Sequence, residues 1–375
     1  MSASTTMEER IVAEVRRLCY AGLDTPALHR RVLASIGRAV PFDGSCAHDA
    51  DPASGLGMRM YQDPPDTQNL RFFLEHVYFE EDVNDFNGMI RSGRPVALLS
   101  EATGGHLDRS LRYRMSLAPR GFHYDMRAVF ASQRQHWGGV SLFRERGRRD
   151  FTTREAALVG RLAPHLAAGL RAAALRAQAP LTAISDGPGV LVLDARGHVV
   201  QYTASAERWL RELGELGPGW QDGRALPSAV WLAVGALRHA LKPETERDAA
   251  SIPRIATRTA SGRWLFLQAA VAESQNGGTE DTVLVVEPAG AQALAWLRTA
   301  AYGLSARERE VVELVVRGLS TSPIAAELHI TEYTVQDHLS HIFDKVGVRG
   351  RRALVKRLYM DSLYPDSLDP MVTDA

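Results

Sequence analysis

Gln336, Asp337, Ser340 and His341 recur at spacings that place hydrogen-bonding side chains on one face of a helix. Such a set can read base edges, because a glutamine amide bonds adenine bidentately and an aspartate accepts from the cytosine amino group. Lys345, Arg349, Arg351, Arg352, Lys356 and Arg357 follow with no acid between them. A cationic run of this kind suits a polyanionic backbone. Thr331 and Thr334 head the same stretch, where free backbone N–H groups favour phosphate. Asp337 and Asp344 lie on or near the same face and repel phosphate, so affinity that ignores sequence is expected to be low.

The elements that must position these groups are legible from their start and stop signals. Ser305-Ala306-Arg307-Glu308 is a capping box, and Val311, Val312, Leu314, Val315 and Leu319 follow at helical spacing up to a stop near Gly318. Ser320 can cap a second helix carrying Ile324, Ala325 and Leu328, with Pro323 in its first turn, where a missing N–H is tolerated. Thr331 can cap a third, with Val335, Leu339, Ile342 and Val346 as its inward stripe and Gly347 as its end. A fourth helix with Leu354, Val355 and Leu358 would close the core. The third helix is then the one that meets the major groove.

This stretch resembles the LuxR/NarL class of helix-turn-helix domains. The resemblance rests on Leu304-Ser305-Ala306-Arg307-Glu308-Arg309-Glu310-Val311, Gly318-Leu319-Ser320-Thr321-Ser322-Pro323-Ile324-Ala325, Ile330-Thr331-Glu332-Tyr333-Thr334-Val335-Gln336-Asp337-His338 and Lys345-Val346-Gly347-Val348-Arg349-Gly350-Arg351. It implies an all-α four-helix DNA-binding domain over 304–365, with base-facing positions at Gln336, Asp337 and Ser340. The family's lysine on the reading helix is Gln336 here. Double-stranded DNA and RNA polymerase are the partners it implies.

Two further units are expected upstream. Over 1–178, a helix begins at Asp24-Thr25-Pro26, strands run over 43–49 and 57–61, and an aromatic helical stretch holds Phe72, Phe73, Tyr78 and Phe79. A hairpin over 126–130 and 137–143 follows, then Phe151-Thr152-Thr153-Arg154-Glu155 opens a long helix with Leu158, Leu162, Leu166 and Leu170 on one face and Pro164 inside. Trp137 to Arg144 and Asp150 to Glu155 give this region a resemblance to a GAF domain, which implies a small ligand held over the sheet. Candidate lining residues are Phe72, Tyr78, Phe79, Phe86, His123, Tyr124 and Trp137. Over 181–288, strands at 189–194, 198–203, 263–268 and 282–286 flank helices at 204–213 and 228–241. Asp194, Gly197, Ala206 and Leu210 make this part similar to a PAS domain. The fold class expected is therefore α+β and multidomain, with GAF-like and PAS-like antiparallel-sheet sensor domains, a helical linker over 289–303 and the helix-turn-helix domain.

Composition bounds the rest. The chain has 375 residues, 44 basic against 44 acidic, so any affinity for DNA must come from a local patch. Hydrophobic residues make up 45%, which suits several packed cores. Cys19 and Cys46 form neither a disulfide framework nor a zinc cluster, and no close metal-ligand spacing links His76, His123 and His136. No cofactor is expected: the PAS-like region lacks a cysteine for a flavin, and His239 reads as a surface or core histidine rather than an axial ligand. No G-x-x-x-x-G-K-[ST], G-x-S-x-G or H-E-x-x-H pattern occurs, so neither an ATP-driven regulator nor an enzyme is expected. A response-regulator domain lacks its paired acids. With no apolar run of membrane length or signal segment, a cytoplasmic regulator, homodimeric through its connecting helices and governed by a small-molecule effector, is the expectation. The alternative is a protein-interaction scaffold with a degenerate helix-turn-helix.

Overall fold

A computed structural model describes residues 3–52, 54–65, 67–176, 187–242, 254–272, 281–289 and 302–360. The chain divides into two compact units, Met1–Ala177 with Asp186–Pro288, and Gln178–Ser185 with Ala289–Ala375.

The first unit is α+β. It opens with α1 (Ala3–Cys19) and α2 (Thr25–Gly37), the second capped by Asp24, whose carboxylate accepts from the Ala27 amide at 2.8 Å. β1 (Gly44–Ala50) and β2 (Gly57–Asp63) form a hairpin, followed by α3 (Thr67–His76), α4 (Phe86–Ser92), β3 (Val96–Leu98) and α5 (Leu99–Thr103). β4 (Phe122–Ser132) and β5 (Gln135–Glu145) are long, and α6 (Thr153–Arg176) closes this part. The sheet order is β2-β1-β5-β4-β3, antiparallel at every pairing. β5 is buried along nearly its whole length. A strand covered on both faces gives no polar–apolar alternation, and that is why sequence reading underestimated it. α6 lays the expected Leu158, Leu162, Leu166 and Leu170 against the sheet and carries Pro164 without ending. A buried pair anchors its start: Arg144 donates to Glu155 at 2.7 Å, and Glu155 also accepts from the Thr152 amide at 2.7 Å.

The second sheet comprises β6 (Gly189–Leu193), β7 (Val199–Tyr202), β8 (Ile255–Arg258), β9 (Trp264–Ala272) and β10 (Asp281–Pro288), with α7 (Ala204–Glu212) and α8 (Ser228–Ala240) between β7 and β8. Its order, β7-β6-β10-β9-β8, repeats that of the first sheet when each is counted from its own first strand. α8 is buried on every side over 228–237, as an almost uncharged helix must be. It packs on the second sheet and on α3, whose Leu74 joins the second sheet's core. The approach is so close that a Cβ at Gly235 would collide with the Leu74 carbonyl oxygen. Polar ties accompany it: the Thr257 hydroxyl donates to the Met58 carbonyl at 3.0 Å, Arg59 pairs with Glu215 at 3.0 Å, and Arg71 lies over the Trp231 ring at 4.0 Å.

The second unit is helical: α9 (Ala306–Val316), α10 (Thr321–Glu327), α11 (Glu332–Val346) and α12 (Arg351–Val355), which continues into a π-helical turn at Lys356–Met360. Its core gathers Leu304, Val311, Val312, Ile324, Val335, Leu339, Ile342, Val346, Leu354 and Leu358. Of the helical linker expected over 289–303, residues 290–301 lie outside the described residues.

Candidate functional site

α11 is built as its caps dictate. The Thr331 hydroxyl accepts from the Thr334 amide at 3.1 Å, and Gly347 ends the helix at φ 72°, in the left-handed region that glycine enters without penalty. With Val335, Leu339, Ile342 and Val346 buried, Gln336, Asp337, Ser340, His341 and Asp344 are exposed together. Tyr333, at 83% exposure, stands on the same outward side, and sequence reading had not singled it out. An aromatic residue off the apolar stripe in the first turn was the available signal. Asp337 and His341 lie 3.8 Å apart, one turn separated.

The cations divide into two kinds. Arg349, Arg352, Lys356 and Arg357 are exposed, Arg357 donating from Nε to the Tyr302 hydroxyl at 3.1 Å. Lys345 and Arg351 also hold partners within the domain. The Lys345 ammonium lies 2.8 and 2.7 Å from the two Glu308 oxygens. Glu308, 4% exposed, is also the acid of the capping box and accepts from the Ser305 amide at 2.7 Å. Burial alone would raise its pKa, but the Lys345 and Ser305 hydrogen bonds outweigh that and hold it below the usual range. Arg351 donates to the Leu319 carbonyl at 2.7 Å and to the Thr321 hydroxyl at 2.8 Å, and Gln336 donates to the same hydroxyl at 2.9 Å. Thr321 thus ties α10, α11 and α12 together. Ser320 sits at the α10 N-cap position without a side-chain bond.

A second candidate site lies in the first unit. A cavity of about 460 Å³ opens between the first sheet and the α3–α4 region. Of the aromatic residues expected to line a ligand site, Tyr78, Phe79 and Phe86 border this cavity, and Phe72, His123, Tyr124 and Trp137 lie away from it. Phe72 packs on His76 with ring centroids 5.0 Å apart, and His123 meets Tyr113, Nδ1 to hydroxyl, at 2.9 Å. Tyr124 packs edge-on against His123 with centroids 4.8 Å apart. Trp137 is buried elsewhere, at 2% exposure. The cavity's polar character comes from residues that sequence reading left aside. Arg112 donates to Asp125 at 2.8 Å and lies 3.3 Å from Asp82. Arg127 donates to the Ser141 hydroxyl at 3.2 Å and lies over the Phe86 ring at 4.6 Å. Burial, with Arg112 nearby, lowers Arg127 to about 10, so it stays charged at neutral pH. His48 and His136 face each other at 3.3 Å between their Nε2 atoms. Burial holds both below the usual histidine range, His136 at about 4. Burial also pushes the Cys46 thiol up to about 11, away from thiolate reactivity. These groups come from β1, β4, β5 and the segment before β4, so no short motif could have announced them. Among the described residues no helix is long and apolar enough to cross a membrane.

Comparison with known proteins bears on the helical unit. The family model GerE, for bacterial regulatory proteins of the luxR family, matches residues 303–358. Spore germination protein GerE of Bacillus subtilis (strain 168) is 49% identical over 61 residues, which span 16% of this chain and 82% of that protein. The probable transcriptional regulatory protein NarL of Mycobacterium tuberculosis is 46% identical over 52 residues, 14% of this chain and only 24% of that protein's length. A structure of VqmA from Vibrio cholerae with ligand and DNA aligns with 48% of this chain and 83% of its own at 16% identity, with a TM-score of 0.24, too low to carry an argument.

Proposed function

The chain belongs to the luxR family of bacterial regulatory proteins, and we propose that it is a sequence-specific transcription regulator, not an enzyme, whose first unit receives a small-molecule signal. One observation carries the reading: Gln336, Asp337, Ser340 and His341 are presented together on α11, above a buried stripe, and are followed in the chain by the exposed Arg349, Arg352 and Lys356. The exposed donors and acceptors read bases and the cations grip phosphates. The cavity in the first unit supports a small effector, since its volume and mixed aromatic and polar lining suit one. The GAF-like reading of 1–178 and the PAS-like reading of 181–288 belong to the same proposal, supported by the order of helices and antiparallel strands in each. A cytoplasmic homodimer fits it best: two reading helices meet half-sites about 34 Å apart, and effector binding changes their spacing before RNA polymerase is engaged.

The test is recovery of fragmented genomic DNA on the purified full-length chain, with sequencing of what is retained. A shared sequence motif, lost when Gln336 and Ser340 are both exchanged for alanine, is the expected result. Retained fragments no different from the input would overturn the proposal. Mass spectrometry of small molecules released from the same preparation tests the effector.

A further inference from the structure

His48 and His136 are 88 residues apart in sequence and meet at the cavity wall. His48 lies on β1 opposite Gly139 of β5, and His136 lies at the start of β5. The rings stand nearly perpendicular, at 86°, with Nε2 facing Nε2 across 3.3 Å. As a hydrogen bond this is long, since N–H donors usually sit about 2.7–3.2 Å from their acceptors. As one edge of a tetrahedron it fits: two imidazole nitrogens bound at about 2.0–2.1 Å to one tetrahedral ion lie roughly 3.3–3.4 Å apart.

The surrounding contacts hold both rings in place, with the Arg127 guanidinium over Phe86 as an opposing positive charge. The Nδ1–H of His136 donates to the Gly55 carbonyl at 3.0 Å. That bond favours the tautomer whose Nε2 carries the lone pair, which is how ligating histidines are usually held. Phe86 packs on both rings, with centroids 4.6 Å from His48 and 5.6 Å from His136. Gly139 makes room for this arrangement, because a Cβ there would press on both the His48 and Phe86 rings, 2.8 Å from each.

We propose that His48 Nε2 and His136 Nε2 bind a divalent first-row transition metal with imidazole preference, such as Zn²⁺ or Co²⁺, at the wall of this cavity. Among the described residues no third histidine, cysteine or carboxylate completes the set. The remaining positions therefore open to the cavity and are filled by water or by donor atoms of whatever occupies it. The site stands independently of DNA recognition by the helical unit.

The test uses tag-free full-length protein, stripped with a chelator, dialysed and titrated with Co²⁺ alone, then with Zn²⁺ as competitor. Saturable uptake of one Co²⁺ per chain, displaced by Zn²⁺, is expected, with X-ray absorption showing two imidazole ligands. His136→Gln and His48→Asn should each weaken binding by more than the roughly 10–100-fold typical of losing an outer-shell partner. Circular dichroism confirms that the variants fold. Absence of saturable uptake by the wild-type chain, uptake without imidazole scattering, or affinity unchanged in both folded variants would overturn the site and leave a hydrogen-bonded histidine pair.

Discussion

Exchanging Lys345 for methionine separates two roles that its position could serve. The stem is kept and the ammonium removed, so Glu308 loses its only cation among the described residues while keeping the Ser305 amide and hydroxyl. The side chains are 35% and 5% exposed, so the pair is neither a surface bridge nor a fully desolvated one. Breaking a buried pair costs about 3–5 kcal/mol and an exposed one about 0.2–1 kcal/mol. A value of about 2 kcal/mol, within the range for hydrogen bonds to charged groups, follows from the intermediate exposure. That corresponds to a roughly 30-fold larger open population in the helical unit. Amide hydrogen exchange on the full chain reads it directly, as faster exchange along α9 and α11. The salt dependence of DNA binding should hardly change, because this ammonium meets a carboxylate rather than a phosphate. Exchanging Arg349, Arg352 or Lys356 for alanine should do the opposite, lowering the slope of log K against log salt by about 0.9 for each phosphate that is no longer neutralised. Unaltered exchange in Lys345→Met, together with a slope reduced by about one, would refute the assignment of Lys345 to the ion pair with Glu308.

Two more outcomes are expected. Gly235→Ala forces α8 away from the Leu74 carbonyl and should destabilise the first unit by about 1–3 kcal/mol, seen as a lower midpoint in its urea transition; an unchanged midpoint would mean that α3 and α8 can part freely. Glu155 is held below its ordinary 4.5 because the Arg144 and Thr152 hydrogen bonds outweigh burial, so its contribution is fully present above that value and is lost as pH falls through the lower folded value. Stability of the first unit should therefore drop with acidification below about pH 4.5 more steeply in the wild type than in Glu155→Gln, and parallel curves would remove Glu155 from the account.

What the sequence alone determined is the local grammar. The capping box at Ser305, the Thr331 cap, the Gly347 stop and the stripe from Val335 to Val346 are all written within a turn or two of chain, where hydrogen bonds and periodicity act over three or four residues. The leucine face of α6 and the Asp24 cap were legible for the same reason. Short strands such as β3 and β8 were not, because three or four residues carry too little alternation and exist only through their neighbours in the sheet. The division of the basic run was equally hidden. Lys345 and Arg349 look alike in sequence, and only folding brings Glu308, 37 residues earlier, against the first. Strand register brought His48 to His136, and the packing of the helical segment before β4 brought Arg112 to Asp125. Local patterns say which faces are buried; which charges and ring nitrogens meet there depends on pairings between distant segments, and the tertiary structure decides those.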